Sequence, residues 1–188
     1  MARPLSDEKR SALMKAATRV IVTQGLSAPT AVIAREASVA NGSLFTYFET
    51  KKVLFNELYL ELKTELASAA FKKFPQKASL RRQVFTVWSN WMHWVISDPD
   101  KRRALAQLSV SEEITPETRT EGHKTMAGIA ELMERCRTAG PMRNASMSFV
   151  LSIMSSLAET TMDFMIQDPK NAEKHCRLGF EALWRVLN

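Results

Sequence analysis

The sequence predicts an all-α protein, and three observations predict it. Gly (6) and Pro (7) are sparse among 188 residues, which favours long helices over a turn-rich β architecture. Apolar residues recur at helical spacing, and prolines at 75, 99, 116, 141 and 169 divide the chain into helix-sized segments. No stretch shows sustained period-two alternation between turn signals.

Taken in order, Ser6-Asp7-Glu8 reads as a helix start, with a capping serine and acids at the end where the dipole prefers them. Leu13, Ala16, Ala17, Val20 and Ile21 follow at helical spacing, and Gly25 stops the helix. A short second helix runs from about Pro29 to Ala37, with Val32, Ile33 and Ala37 apolar and Pro29 suited to its first turn. Ser38-Val39-Ala40 is a tight connection to a two-turn third helix from Asn41 to about Phe48. Thr50 reads as the N-cap of a long fourth helix carrying Leu54, Leu58, Leu62 and Leu66 until Pro75. Five further segments follow: 79–97 with Trp88, Trp91 and Trp94, then 101–112, 117–138, the very apolar 143–167, and 170–187. The division between a small front (1–50) and a larger bundle (51–188) falls at the fourth helix, so the two parts are expected to share a rod.

The composition, 45% hydrophobic and 24% charged, is that of an ordinary globular chain. The formal net charge is +6 and unevenly placed. Residues 1–52 hold eight Lys/Arg against four acids, a net of +4, which leaves only +2 for the rest. That basic front suits a polyanionic partner. Two isolated cysteines, Cys136 and Cys176, form neither a disulfide framework nor a zinc site. The sequence MARPLSDEKR has no apolar signal core, and no run of about 18 apolar residues is read anywhere. A cytoplasmic location without membrane attachment is the expectation.

Catalysis finds no constellation. His93, His123 and His175 lie far apart, none beside a serine or cysteine nucleophile, and the six glycines never fall in a phosphate-loop spacing. No metal and no cofactor is expected, and the protein is read as not an enzyme.

Two short helices joined by a tight turn, the second in basic surroundings, match a helix-turn-helix whose second helix enters the major groove. Asn41, Gly42 and Ser43 at its start let the backbone approach the bases, and Ala31, Ala34, Ala37 and Val39 let the two helices cross closely. The stretch GLSAPTAVIAREASVANGSLFTYFETKKVLF (25–55) resembles the N-terminal signature of TetR-family transcriptional repressors. The matching positions are Ile33-Ala34, the turn 37–40, then Gly42, Leu44, Phe45, Tyr47, Phe48 and Lys51. The resemblance implies a DNA contact by Arg35, Asn41, Gly42, Ser43, Phe45, Thr46, Tyr47 and Lys51, with Tyr47 on the backbone beside the groove and Lys51 on a phosphate at the start of the fourth helix. Leu44 and Phe48 would face inward. Arg35 could instead pair with Glu36 or Glu49, and Arg3 could enter the minor groove from an N-terminal arm. Phe45 stands where a tyrosine is common, Pro29 and Ala40 replace side-chain caps, and Ser38 replaces a frequent turn glycine. MARP at the start, AETTMDF at 158–164 and GFEALWR at 179–185 resemble, more narrowly, the RamR-like branch of multidrug-efflux regulators.

For the bundle, Val84, Val87, Trp88, Trp91, Trp94 and Val95 trace one stripe. Trp88 and Trp91, with Tyr59, are candidate lining for an aromatic effector, and the resemblance places effectors between the fourth helix and the bundle. Met154 suits an adaptable pocket. Glu159 and Asp163, four apart on an apolar helix, are candidates to hold a cationic ligand against tryptophan, or else pair with Arg185. The last two helices present apolar residues on more than one face, so they are expected to form a homodimer that reads a palindromic operator. The expected function is a ligand-responsive repressor released from DNA when an effector shifts the fourth helix, with multidrug efflux the process that the RamR-like resemblance implies. A small all-α ligand-binding protein or enzyme without DNA binding is the alternative.

Overall fold

The acids Asp7 and Glu8 and the buried row Leu13, Met14, Ala16, Ala17, Val20 and Ile21 form α1 (Asp7–Gln24), which Gly25 ends at φ +78°. The chain is described here from a computed structural model covering residues 6–138 and 140–188. Among the described residues there are α-helices and one short 3₁₀ turn but no strand, so the all-α expectation holds. Arg3 lies outside the described residues.

α2 (Thr30–Glu36), α3 (Asn41–Tyr47) and α4 (Lys51–Ala70) follow, and then α5 (Leu80–Ser97) and α6 (Pro99–Ser109). The rest are α7 (Pro116–Thr125), α8 (Ala127–Arg137), α9 (Met147–Gln167), the 3₁₀ turn Pro169–Asn171 and α10 (Ala172–Leu187). The two largest differences from the sequence expectation lie in α4 and in 117–138. α4 stops at Ala70 rather than near Pro75. The expected single helix over 117–138 is two, because Met126 turns out of the helical path at φ −96°, ψ 4°. Two glycines flank that break, and each sits against an aromatic ring: a Cβ would lie 2.6 Å from Tyr59 at Gly122 and 3.0 Å from Phe71 at Gly128. Low helix propensity there is tolerated because close packing demands it.

The chain divides into two compact units, 6–63 with 99–122, and 64–98 with 123–188. In the first, α1 packs on α2 and α6, and α2 on α3. Its core joins the α1 row to Ile33, Leu44, Phe48, Leu54, Phe55, Leu58 and Leu108, each 1% exposed or less. Asn56 ties α4 to the loop before α7, donating to the Glu113 carbonyl at 2.8 Å and accepting from the Thr115 N–H at 2.9 Å. In the second unit, α9 packs most extensively on α10, with α5 and α8 beside them. Trp88 is buried there and donates its indole N–H to the Cys176 carbonyl at 3.0 Å, while Trp94 donates to Glu65.

The turn between α2 and α3 carries the anticipated strain. Ser38 adopts φ +57°, the left-handed region that costs an L-residue about 1–2 kcal/mol. It is held by two bonds that close α2, Val39 N–H to the Ala34 carbonyl and Ser38 N–H to the Arg35 carbonyl, the pairing of a Schellman end. Glycine would relieve the strain but loosen the unfolded chain. Ser38→Gly is therefore expected to raise stability by about 0.5–1 kcal/mol in urea unfolding.

An 18-residue window of α9 has mean hydropathy 1.3, and only 33% of it is buried. By length and mean hydropathy that helix is apolar enough to cross a membrane, although Ser148, Ser152, Ser155, Ser156, Glu159 and Asp163 interrupt it, so it holds no unbroken run of 18 apolar residues. Its exposed apolar residues include Phe149 and Phe164, 55% and 52% exposed, and α10 adds Leu178 at 57%.

Candidate nucleic-acid interface

α3 has two unlike faces. Leu44 and Phe48 are fully buried, whereas Asn41, Gly42, Phe45 and Thr46 are exposed and Ser43 is half-buried. The division follows the helical period: positions 44 and 48 point into the first unit, and 41, 42, 45 and 46 point away. Phe45 is 45% exposed, an unusual position for a phenyl ring. A Cβ added to Gly42 would meet nothing within 4 Å, so neither packing nor a positive φ requires glycine there.

Tyr47 is half-buried, and its hydroxyl accepts from the Ser6 N–H at 3.1 Å. Ser6 occupies the N-cap of α1 but its side chain makes no capping bond, so the expected serine cap does not form, and Tyr47 holds the N–H of Ser6 itself rather than a first-turn donor. A phenol that accepts one bond keeps its own O–H to donate, and here that donor lies beside α3. Thr50 caps α4 as expected, accepting from the Val53 N–H at 3.1 Å. Pro29 and Ala40 provide no side-chain caps. Lys51, the first residue of α4, holds its ammonium 5.4 Å from the centre of the Phe55 ring. Glu36 is taken by Arg19 at 2.7 Å, which leaves the exposed Arg35 outside that pair.

Sequence reading missed Arg10. Its guanidinium bonds Glu57 at 2.9 Å and Glu61 at 3.0 Å and lies 5.8 Å above the Phe48 ring. The hydrogen bond to Glu57, with Glu61 behind it, raises the arginine pKa further. This fork ties α1 to α4 over the residue that anchors α3. Its signal was present as two carboxylates four apart on one helix face, but nothing local indicated which cation they meet.

The proposed effector residues are dispersed by burial. Tyr59 is buried in the first unit, with Lys63 Nζ 5.6 Å from its ring centre; burial raises the phenol pKa and lowers that of the amine. In the second unit Trp88 is buried, Trp91 half-buried and edge-on to it at 6.4 Å, and Met154 buried. Glu159 and Asp163 are exposed on α9, off the buried row of Val150, Met154, Ala158, Met162 and Met165. Among the described residues no cluster of three or more metal-ligating side chains occurs.

Residues 13–58 match the family model of bacterial regulatory proteins, tetR family. The structure is similar to a TetR-family regulator from Shewanella sp. PV-4, at 26% identity, TM-score 0.81, with 94% of this chain and 96% of that one covered. It resembles another from Marinobacter aquaeolei VT8 at 20% identity and TM-score 0.86, with 96% of each chain covered. The Bacillus subtilis regulator FadR, in complex with stearoyl-CoA, is similar at 16% identity and TM-score 0.69, covering 95% of this chain and 97% of that one. These likenesses show the fold and lend no support to the RamR-like branch. Residues 13–58 thus carry the helix-turn-helix head of the tetR family of bacterial regulatory proteins, and the fold as a whole is similar to that of TetR-family regulators.

Proposed function

We propose that this protein is a cytoplasmic, dimeric transcriptional repressor that reads a palindromic operator through α3 and is released by a small-molecule effector. The observation that carries the reading is the outward face of α3. A glycine that the fold does not need and a phenylalanine left in water sit between Asn41 and Thr46. Glycine in a helix costs about 0.5–1 kcal/mol against alanine, a cost explained by something outside the protein approaching the backbone closely. Asn41, Gly42, Ser43, Phe45 and Thr46 would then enter the groove, while the Tyr47 hydroxyl, Lys51 and Arg35 would take phosphates. The basic excess of residues 1–52 supports a polyanionic partner.

The exposed Phe149, Phe164 and Leu178 support a homodimer through α9 and α10, which would also cover the apolar side of α9. An effector remains part of the proposal, with Trp88, Trp91 and Met154 as its candidate contacts in the second unit, since a fold neighbour is described with stearoyl-CoA bound. Control of multidrug efflux rests on the narrower sequence resemblance alone.

The test is fluorescence anisotropy with a duplex selected from a random-sequence library. Wild-type affinity should fall steeply with salt, as phosphate contacts require. Gly42→Ala should gain about 0.5–1 kcal/mol of stability yet lose DNA affinity tenfold or more. Tyr47→Phe should also lose affinity while remaining folded. If Gly42→Ala binds as tightly as wild type, α3 does not approach bases in this way.

A further inference from the structure

A depression of about 290 Å³ lies between the start of α5 and the middle of α10, within the second unit. Phe85 and the buried Phe180 form its base, with ring centroids 4.9 Å apart and planes inclined by 67°. Its rim holds Arg81, Arg82, Arg177 and Glu181, three guanidiniums against one carboxylate. None of these residues belongs to the DNA-reading face or to the effector residues proposed from the sequence.

Arg81 is already satisfied. It bonds Glu181 and lies over the rings of Phe180 and Trp184, 5.9 and 5.8 Å from their centres. Its charge is thereby neutralised, and its plane helps build the aromatic wall. Arg82 and Arg177 are exposed and, among the described residues, neither meets an acidic partner. Both open onto the depression. The first turn of α5 compounds the imbalance. It contains no acid and two arginines, whereas the positive end of a helix favours acids and disfavours cations. Local positive charge therefore accumulates from three sources around an apolar base, and no acidic side chain forms an ion pair with Arg82 or Arg177 among the described residues.

We propose that this depression binds a small aromatic carboxylate. Guanidinium forks match the geometry of a carboxylate, and a flat ring suits a base made of two phenyl groups. The volume sits at the lower edge of the roughly 300–1,000 Å³ typical of small-molecule sites, which limits the ligand to one or two rings. A phosphate without a ring would satisfy the rim but leave the base wet, and an aromatic amine would meet like charge.

The experiment is isothermal titration calorimetry of the full chain, without DNA, using 2-naphthoate as the probe. Its outcome is independent of whether the protein reads an operator. Saturable binding with a Kd of about 0.1–1 mM is expected for a ligand of this size, weakening as salt rises. 2-Naphthylmethylammonium, with the same ring and opposite charge, and inorganic phosphate, with charge and no ring, should each bind at least tenfold more weakly. The double substitution Arg82→Gln, Arg177→Gln touches only exposed side chains and should keep the thermal melt of wild type while losing tenfold or more in affinity. Phe85→Leu should lose severalfold. Naphthoate binding unchanged in the double variant would overturn the proposal. So would phosphate binding as tightly as naphthoate, or no saturable naphthoate binding up to about 10 mM.

Discussion

Phe48→Ala is expected to destabilise the protein by about 3–5 kcal/mol, and to abolish DNA binding as a consequence of lost structure. Phe48 is fully buried at the end of α3, where its N–H closes the last turn onto the Leu44 carbonyl at 2.9 Å. Above its ring lies Arg10, itself held by Glu57 and Glu61. Removing the ring opens a cavity beneath an ion pair, and the surroundings cannot collapse into it without moving α1, α3 or α4. Tyr47→Ala, one residue earlier, removes a half-buried side chain and one hydrogen bond to Ser6, a loss of about 1 kcal/mol. Urea unfolding followed by circular dichroism separates the two. The adjacent aromatics should differ by about 2 kcal/mol or more in stability, with Tyr47→Ala showing its main effect on DNA affinity. A Phe48→Ala protein within about 1 kcal/mol of wild type would mean that Phe48 does not anchor the reading helix.

Gly179→Ala is the second large effect, although alanine is the better helix former. A Cβ at Gly179 would sit 2.0 Å from Thr161 Oγ1, 2.9 Å from its Cγ2 and 3.0 Å from its Cβ. Thr161 is not free to turn aside, since its hydroxyl donates to the Leu157 carbonyl at 2.7 Å. The propensity gain is about 0.5–1 kcal/mol, while overpacking costs typically 1–3 kcal/mol or more. The clash is with a side chain held in place on an opposing helix, so the cost should prevail with a net loss of about 2 kcal/mol. Adding Thr161→Ala removes the two closest atoms, and the double variant should regain more than half of that loss. Equal stability of Gly179→Ala and wild type would show that α9 and α10 do not approach so closely. Because those helices also carry the proposed dimer surface, light scattering should show weaker dimerisation alongside the lower stability.

Local signals in the sequence were legible where one element decides its own fate. Thr50 announced the start of α4, Gly25 the end of α1, and the turn at 37–40 the strained Ser38. The inward and outward assignments of Leu44, Phe48, Asn41, Gly42 and Thr46 came with the family resemblance, and burial agrees with each. What escaped depends on distant partners. The break at Met126 accompanies the fit of Gly122 and Gly128 against rings far away in sequence. Arg10 meets Glu57 and Glu61 across more than 45 residues. The Ser6 hydroxyl was a reasonable cap by composition, yet a tyrosine 41 residues away takes its backbone instead. Glu159 and Asp163 illustrate a limit of another kind, since periodicity put them on an apolar helix without saying which side faced water.

The first unit's interrupted path bears on how such a protein can be recombined. α1 packs against α6 as well as α2, and α6 supplies Ala104 and Leu108, both fully buried, from a segment that returns after the chain has visited the second unit. A gene fusion that transplants only residues up to 58, where the family match ends, would leave behind part of the lining against which α1 rests. If α3 reads the operator as proposed, exchanging DNA specificity is better attempted by grafting its outward residues than by swapping the N-terminal piece, because the segment that would touch DNA is smaller than the unit that folds.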